Sequence, residues 1–272
     1  MQEITLKSGR KIPQFGLGTW ELTGETGIET VAQALSMGYN HVDTAVQYGN
    51  HKEVGTGIKK SGVDRESIYL TTKIPKEKLR RSQILELGQK MLDELAVDYV
   101  DLLLVHWPSK KVPFSETFGA FNELVKKGFV KDIGVSNFNA EIMMESVEVS
   151  EAPIVTNQVE FHPFLYQKEL LKKCKSLGVT LTAYCPLAKG KVFENRILQD
   201  IASKYHATIA QVSIAWILSK GIIAIPKATG KDHLKDNLEA LSLKLSAEDL
   251  ERIDSIDQTS RLIDGPWKDF DF

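Results

Sequence analysis

The sequence predicts an α/β protein with the fold of a (β/α)8 TIM barrel, formed by residues 1–272 as a single domain. Short apolar runs alternate with amphipathic stretches from residue 15 onward, as expected for repeated βα units. Eight such units are present, and no Pro/Ser-rich linker separates them. Chains of this length occur as single barrels, and this number of units favours a closed parallel barrel over an open sheet.

The predicted strands are mostly rich in Val, Ile, Leu, Thr or Tyr and are too short to be buried helices. In chain order they span residues 15–19, 41–45, 68–74, 100–107, 129–137, 154–161, 179–187 and 221–227. The stretches between them repeat apolar residues at helical spacing, as in residues 28–35 and 84–95. We therefore expect a helix after each strand.

Three further segments add to the predicted barrel. Residues 4–13 resemble an N-terminal β-hairpin around Ser8 and Gly9, which would close the lower mouth. Residues 246–257 predict an extra C-terminal helix with Ser246 as its N-cap, because acidic residues follow in the first turn. The aromatic tail, residues 261–272, is expected to fold over the upper mouth.

The composition is that of an ordinary globular protein, with 42% hydrophobic and 26% charged residues. A net charge of −2 gives no electrostatic reason to expect a nucleic acid or a membrane as partner. Cys174 and Cys185 supply neither a disulfide framework nor a metal ligand set, so we expect no metal site. The N-terminus lacks the apolar core of a signal peptide. We expect a soluble cytoplasmic protein, and a monomer because no exposed apolar stripe stands out.

Four polar residues lie at or just after the ends of the second, third and fourth predicted strands: Asp43, Tyr48, Lys73 and His106. Parallel α/β folds build their active sites at the carboxyl ends of the strands, so these side chains are expected to meet. A carboxylate, a phenol, an ammonium and an imidazole are the groups needed to protonate a carbonyl oxygen near neutral pH. Each residue alone has an ordinary structural explanation, but the four together predict a catalytic site.

The chemistry of these groups indicates a division of roles in carbonyl reduction, which leaves an alkoxide that must receive a proton. Tyr48 is the predicted acid, and Lys73 is expected to lower its pKa from about 10. Asp43 would keep Lys73 charged, and His106 would donate a hydrogen bond to the carbonyl oxygen. Two alternatives stay open: a barrel lyase using Lys73 as a Schiff-base amine, and a cofactor-binding protein without catalysis.

With their flanking residues, these positions resemble the aldo-keto reductase family, in particular its small prokaryotic-type members such as the 2,5-diketo-gluconate reductases. The resemblance rests on the ordered strings GLGTW 16–20, HVDTA 41–45, YGN 48–50, TTK 71–73, LVHWP 104–108, GVSNF 134–138, NQVEFHP 157–163 and IPK 225–227. It implies a (β/α)8 barrel that reduces small-molecule carbonyls with NAD(P)H and uses Tyr48 as proton donor. Asp43, Lys73 and His106 match the family's other three catalytic positions.

The resemblance also implies a cofactor site. No GxGxxG motif follows a predicted strand, which excludes a Rossmann-type dinucleotide site. Instead, Ser136, Asn137 and Gln158 would bind the nicotinamide carboxamide, whose donors and acceptors a hydroxyl and two amides can match. Tyr184 would stack on the nicotinamide ring, and Leu187 would line the pyrophosphate path. Without the resemblance, Ser136 and Asn137 are interpreted as caps of the following helix.

At the adenosine end, the resemblance implies five residues at and after the eighth strand: Lys227, Thr229, His233, Asp236 and Asn237. The family usually has a serine and an arginine where this chain has Ala228 and His233. These departures remove two partners for a 2′-phosphate. We therefore expect NADP(H) to be preferred with weakened discrimination, and NAD(H) to be a possible cofactor.

The substrate pocket is predicted from aromatic residues near the upper mouth. By resemblance, Trp20 and Trp107 form an aromatic wall beside His106, and Trp267 in the tail could form another side. The connections at residues 108–114 and 188–196 are short, so a shallow pocket for small aldehydes, α-dicarbonyls or sugar-like ketones is expected. His51 stands where the family often has glutamate and is interpreted as surface variation at the start of the next helix.

Overall fold

The computed structural model of the chain describes residues 2–258, 260–265 and 269–270. Within these residues the β-strands are Glu3–Thr5 (β1), Lys11–Pro13 (β2), Leu17–Gly18 (β3), His41–Asp43 (β4), Tyr69–Ile74 (β5), Val100–Val105 (β6), Val130–Ser136 (β7), Ile154–Glu160 (β8), Thr180–Tyr184 (β9) and Ile223–Ala224 (β10). The α-helices are Gly24–Ser36 (α1), His51–Ser61 (α2), Arg81–Leu95 (α3), Phe114–Lys126 (α4), Ala140–Val149 (α5), Lys168–Ser176 (α6), Arg196–Tyr205 (α7), Ile209–Ser219 (α8), Lys231–Glu239 (α9) and Ala247–Asp254 (α10).

Strands β3 to β10 form one parallel sheet in which each strand pairs with the next in chain order. A bridge between Phe15 and Ala224 joins the beginning of this sheet to its end. The amide of Gly16 also donates to the carbonyl of Ala224 at 3.0 Å. The sheet therefore closes into the predicted TIM barrel, and each of its strands lies within one of the eight predicted runs.

Strands β1 and β2 form the predicted hairpin, with Ile4 opposite Ile12. Gly9 lies in the turn with a φ of 85°, a left-handed conformation that glycine adopts without strain. The buried side chains of Leu6 and Ile12 join an apolar cluster inside the barrel that includes Tyr69, the first residue of β5. The hairpin therefore closes the lower mouth, as the sequence predicts.

The helices pack against the outside of the barrel through apolar faces, such as Val31 and Leu35 in α1. The connection between β9 and β10 differs from the expectation because it contains two helices, α7 and α8. His206 ends α7 in a left-handed conformation, and Thr208 begins α8 with a capping box to Gln211. These capping residues divide the stretch into two helices, whereas the pattern of apolar residues alone predicts a single helix.

The C-terminal helix α10 begins as predicted, because Ser246 Oγ accepts the amide of Asp249 at 3.2 Å. The described part of the tail lies at the upper mouth. Asp269 pairs with Lys76, which follows β5, at 3.1 Å and accepts the amide of Lys110, which follows β6, at 3.0 Å. Among the described residues, no helix has both the length and the apolar character needed to cross a bilayer.

Candidate active site

The four predicted catalytic residues reach the same end of the barrel because each ends or follows a parallel strand. Asp43 is the last residue of β4, Lys73 is next to last in β5, and His106 follows β6 directly. Tyr48 closes a 3-10 turn, Val46–Tyr48, that follows β4. The structure thus brings together the residues that the sequence singles out.

The turn that carries Tyr48 is held by Asn50, a residue whose contribution the sequence analysis missed. Its Oδ1 accepts from Thr44 Oγ1 at 2.8 Å, and its Nδ2 donates to the carbonyls of Thr19 at 2.8 Å and Leu22 at 3.0 Å. These bonds tie the connection after β4 to the connection after β3. The carbonyl partners lie 31 and 28 residues away along the chain, so no local pattern reveals them.

Lys73 is completely buried, and its ammonium group makes three hydrogen bonds. Nζ donates to Asp43 Oδ1, to the carbonyl of Thr44 at 2.8 Å and to Tyr48 OH at 3.3 Å. Asp43 Oδ2 in turn accepts from Gln158 Nε2 at 2.7 Å. All three N–H donors of the ammonium are used. This geometry disfavours a Schiff base, because Nζ has no free lone pair to attack a carbonyl.

Burial dominates the electrostatics of the Lys73–Asp43 pair. Burial raises the pKa of Asp43 and lowers the pKa of Lys73. The attraction between the two charges acts against both of these pKa shifts. Because both side chains are buried away from water, removing either one would leave the other as a buried charge without its counter-charge. The two residues therefore act as a unit.

Tyr48 departs from the sequence-based expectation in one respect. Burial, and after it the charge of Asp43, raise the pKa of Tyr48 well above its ordinary value. The predicted lowering by Lys73 is therefore wrong for the protein alone, because a buried phenolate loses its hydration and lies near a carboxylate. Tyr48 is a neutral phenol whose oxygen accepts from Lys73, so its own proton is available for donation.

His106 lies against Tyr48, with ring centroids 5.7 Å apart and ring planes at 74°. Burial, and after it the charge of Lys73, lower the pKa of His106 to about 3. Its Nδ1 is buried and has no hydrogen-bond partner within the described part of the chain. The ring is therefore neutral near pH 7 and carries one N–H, which suits hydrogen bonding to a carbonyl oxygen.

Because His106 and His41 are buried, we predict that the folded state becomes less stable in acid. Burial also lowers the pKa of His41 to about 3. Below about pH 6.5 the unfolded chain binds protons that the folded chain does not, so stability falls as the pH drops from about 6.5 towards 3. Each of the two histidines contributes up to about 1.4 kcal/mol per pH unit in that window. Urea denaturation at pH 7 and pH 5 measures the loss.

The matched control for this prediction is an exposed histidine. His106→Gln should reduce the difference in free energy of unfolding between the two pH values, because one buried titrating group is removed. His233→Gln should leave the difference nearly unchanged, since His233 is exposed. If both variants keep the wild-type difference, His106 is not held neutral by burial.

The predicted nicotinamide residues form one hydrogen-bond network at the ends of β7, β8 and β9. Ser136 Oγ donates to the carbonyl of Gln158 at 2.8 Å. Asn137 Nδ2 donates to Ser136 Oγ at 3.1 Å and to the carbonyl of His106 at 3.0 Å. Tyr184 OH donates to Asn137 Oδ1 at 2.8 Å. The network joins the predicted cofactor residues to the strand end that carries His106.

The alternative in which Ser136 and Asn137 cap the following helix is wrong. Asn139 caps α5 instead, because its Oδ1 accepts the amide of Ile142 at 3.1 Å. Asn137 adopts a φ of 62°, a left-handed conformation in which asparagine is enriched. Leu187 is half-buried at the start of the 3-10 segment Ala188–Glu194.

The residues predicted for the adenosine end lie after β10 and in α9. Lys227, Thr229 and His233 are exposed. Lys227 Nζ pairs with Glu21 Oε2 at 3.0 Å, and this contact lowers the pKa of Glu21. Glu21 lies 206 residues away along the chain, so no local sequence pattern reveals this partner.

The other two adenosine-end candidates are held within the fold. Asp236 accepts from Thr208 and from Gln211, both at 2.9 Å, and so connects α9 to the start of α8. Asn237 is 4% exposed. Asp236 therefore has a structural contact of its own in addition to any contact with a ligand.

The aromatic residues predicted for the substrate pocket differ in exposure and in their contacts with Tyr48. Trp20 is 51% exposed, and its ring meets Tyr48 edge-on with centroids 4.9 Å apart. Trp107 is half-buried and directly follows His106. Trp267 lies outside the described residues. Trp20 therefore borders the predicted acid.

The interpretation of His51 as surface variation is wrong. Helix α2 begins at His51 as expected, but the residue is only 3% exposed. Its Nε2 lies 2.8 Å from Thr72 Oγ1, and its Nδ1 lies 3.3 Å from Glu94 Oε2. Because Thr72 precedes Lys73, His51 ties the helix after Tyr48 to the strand that carries the lysine.

Comparisons with known proteins agree with this geometry. A family model described as the Aldo/keto reductase family matches residues 14–258. The chain is 38% identical to glyoxal reductase of Bacillus subtilis, covering 97% of this chain and 95% of that protein. It is 39% identical to methylglyoxal reductase of Escherichia coli O157:H7, covering 93% and 96%. A solved Bombyx mori aldo-keto reductase in complex with NADP has a TM-score of 0.90 at 31% identity, covering 97% of this chain and 95% of that chain.

Proposed function

Because the chain belongs to the aldo/keto reductase family, we propose that it reduces aldehyde or ketone carbonyls of small molecules with NAD(P)H and that Tyr48 is its general acid. The observation that carries the proposal is the contact of Tyr48 OH with Lys73 Nζ at 3.3 Å, where the same nitrogen binds Asp43. A binding protein without turnover gains nothing from a buried ion pair beneath a phenol, since burying both charges costs desolvation.

In the proposed mechanism the cofactor provides the hydride and the chain provides the proton. The reduced nicotinamide supplies the hydride when bound. Tyr48 donates its proton to the oxygen that becomes an alkoxide, and the Lys73 ammonium stabilises the phenolate left behind. His106 donates a hydrogen bond to the same oxygen and so holds the carbonyl in position.

The residues at the ends of β7, β8 and β9 fit a nicotinamide carboxamide. Gln158 Nε2 donates to Asp43 Oδ2 at 2.7 Å, so the amide is oriented with its Oε1 on the other side. This leaves an acceptor for the carboxamide nitrogen, and Ser136 and Asn137 lie beside it. We propose that Tyr184 stacks on the ring and that Leu187 lines the path of the pyrophosphate.

We propose that NADP(H) is preferred and that NAD(H) can also bind. The adenosine end would be bound by Lys227, Thr229, His233, Asp236 and Asn237. A 2′-phosphate would meet the Lys227 ammonium, but the carboxylate of Glu21 already lies 3.0 Å from that group. An anion beside the phosphate site opposes a second negative charge, so discrimination between the two cofactors should be modest.

We propose α-dicarbonyls and other small aldehydes as substrates, with Trp20, Trp107 and His106 lining the pocket. Two relatives are named as reductases of glyoxal and methylglyoxal, which are small enough for a pocket bordered by short connections. We also propose a monomeric state, because no exposed apolar stripe stands out in the sequence, and a cytoplasmic location, because the two cysteines offer no disulfide framework.

A panel of small carbonyls, assayed with NADPH and with NADH, tests the proposed function. Oxidation of the reduced cofactor should match the alcohol formed, mole for mole. Tight NADPH binding without turnover on any carbonyl would favour a binding protein. Trapping of a carbonyl on Lys73 by borohydride would favour the Schiff-base lyase.

His233→Arg should strengthen NADPH binding relative to NADH binding. A guanidinium adds a charge-assisted contact to the 2′-phosphate, worth about 1–2 kcal/mol. Fluorescence titration of each cofactor gives the two dissociation constants, and Lys175→Arg, at an exposed position in α6, is the control. An unchanged ratio in His233→Arg would show that His233 does not face the 2′-phosphate.

A further inference from the structure

The carboxylate of Glu160 is completely buried at the upper end of β8, two residues beyond Gln158 on the same face of the strand. Its Oε1 accepts the main-chain amide of Leu262 at 2.7 Å, and its Oε2 accepts that of Ile263 at 2.8 Å. His162 Nε2 lies 2.8 Å from the same Oε1. None of these groups takes part in the proposed proton transfer.

Glu160 holds the tail segment, residues 260–265, through its two short hydrogen bonds to Leu262 and Ile263. Two other contacts of this segment are longer: the amide of Ser260 lies 3.3 Å from the carbonyl of Phe164, and Arg261 lies 3.3 Å from Gln167 Oε1. Hydrogen bonds to an ionised acceptor are about twice as strong as those between neutral groups. Glu160 is therefore a strong polar anchor of this segment.

The carboxylate is ionised although it is buried. Burial raises the pKa of Glu160, but the hydrogen bonds from His162 and from the amides of Leu262 and Ile263 outweigh burial and leave the pKa below its ordinary value. A buried anion of this kind needs its donors, because losing them would leave the charge unsatisfied. The strand end and the tail segment are thereby coupled.

We propose that Glu160 is a positioning residue that clamps the tail segment over the mouth of the barrel and thereby fixes one wall of the substrate pocket. The inference rests on the proposed function, because the pocket is the proposed carbonyl site. The clamp lies beside the predicted nicotinamide residues, since Glu160 pairs in register with Tyr184 of the neighbouring strand. Farther along the tail, Phe270 stacks on Phe114, the first residue of α4, with centroids 6.3 Å apart.

Three variants test the proposed clamp, one at the acceptor Glu160 and two at the donor Leu262. Glu160→Gln removes the charge, and Leu262→Pro removes one amide donor without changing the buried carboxyl. Leu262→Ala is the matched control, because it shortens the side chain and keeps the amide. The first readout is the rate at which endoproteinase Asp-N cleaves before Asp264, a bond that none of the variants alters, followed by mass spectrometry. The second is the KM for a small carbonyl, compared with kcat and with the Kd of NADPH.

We expect Glu160→Gln and Leu262→Pro to be cleaved at least about tenfold faster than the wild type, because the segment is released by local unfolding. KM should rise about tenfold, while kcat and the Kd of NADPH stay within about twofold, since the catalytic residues are untouched. Leu262→Ala keeps the amide that Glu160 binds, so its cleavage rate should stay close to that of the wild type.

Two results would overturn the clamp: wild-type cleavage rates in both Glu160→Gln and Leu262→Pro, or equally fast cleavage in Leu262→Ala. Faster cleavage with an unchanged KM would overturn the role of the segment as a pocket wall. If the wild type reduced no carbonyl at all, the proposed function would fail, while the cleavage rates would still decide whether Glu160 holds the tail.

Discussion

Replacing Tyr48 by Phe is expected to remove most carbonyl reduction while the nicotinamide cofactor still binds. A positioned general acid contributes about 10²–10⁴-fold to a rate, and the variant lacks only the hydroxyl that would donate the proton. The phenyl ring can keep the edge contacts with Trp20 at 4.9 Å and His106 at 5.7 Å, so the pocket should hold its shape. Steady-state kinetics with a small carbonyl and fluorescence titration of NADPH measure the two effects separately.

The control for this prediction removes a hydroxyl far from the site. Tyr99 lies just before β6, at the opposite end of the barrel from His106, and its ring contacts the guanidinium of Arg65 at 4.4 Å. Tyr99→Phe should therefore keep turnover within about twofold of the wild type, as expected for a change outside the site. Near-normal turnover in Tyr48→Phe would eliminate Tyr48 as the acid and redirect the search to His106.

The fold and the meeting of the four polar residues could be predicted from the sequence because both depend on position along strands. A residue at the end of a parallel strand reaches the same rim as its counterparts, whatever its detailed contacts. Lys73 in residues 68–74 and His106 in residues 100–107 therefore come together without any knowledge of distances. The N-terminal hairpin could also be predicted, because Ser8 and Gly9 form a local turn signal.

The properties that the sequence did not yield depend on burial and on partners distant along the chain. The pKa of Tyr48 has the opposite shift to the one expected, because burial and the charge of Asp43 raise it, and only the folded surroundings determine both effects. His51 was interpreted as a surface residue because Thr72 and Glu94, 21 and 43 residues away, are not local neighbours. Glu160 was missed for the same reason.

Asp43→Ala is expected to be the most destabilising single change in the site. It leaves the ammonium of Lys73 completely buried with only the carbonyl of Thr44 and the hydroxyl of Tyr48 as acceptors. Removing one partner of a buried ion pair costs about 3–5 kcal/mol, because the remaining charge is unpaired. Urea denaturation near pH 7 measures the free energy of unfolding.

A second variant separates the loss of the counter-charge from the loss of packing around Asp43. In Asp43→Ala combined with Lys73→Met the buried charge is absent, so the double variant should be more stable than Asp43→Ala alone. Glu151→Ala is the matched control, because its pair with Lys126 is exposed and its loss should barely shift the denaturation midpoint. If Asp43→Ala unfolds at the wild-type midpoint, or if removing Lys73 as well gives no recovery, then the ammonium is not held as a charge by Asp43. Tyr48 would in that case lack the cation that stabilises its phenolate, and the proposed proton transfer would lose its basis.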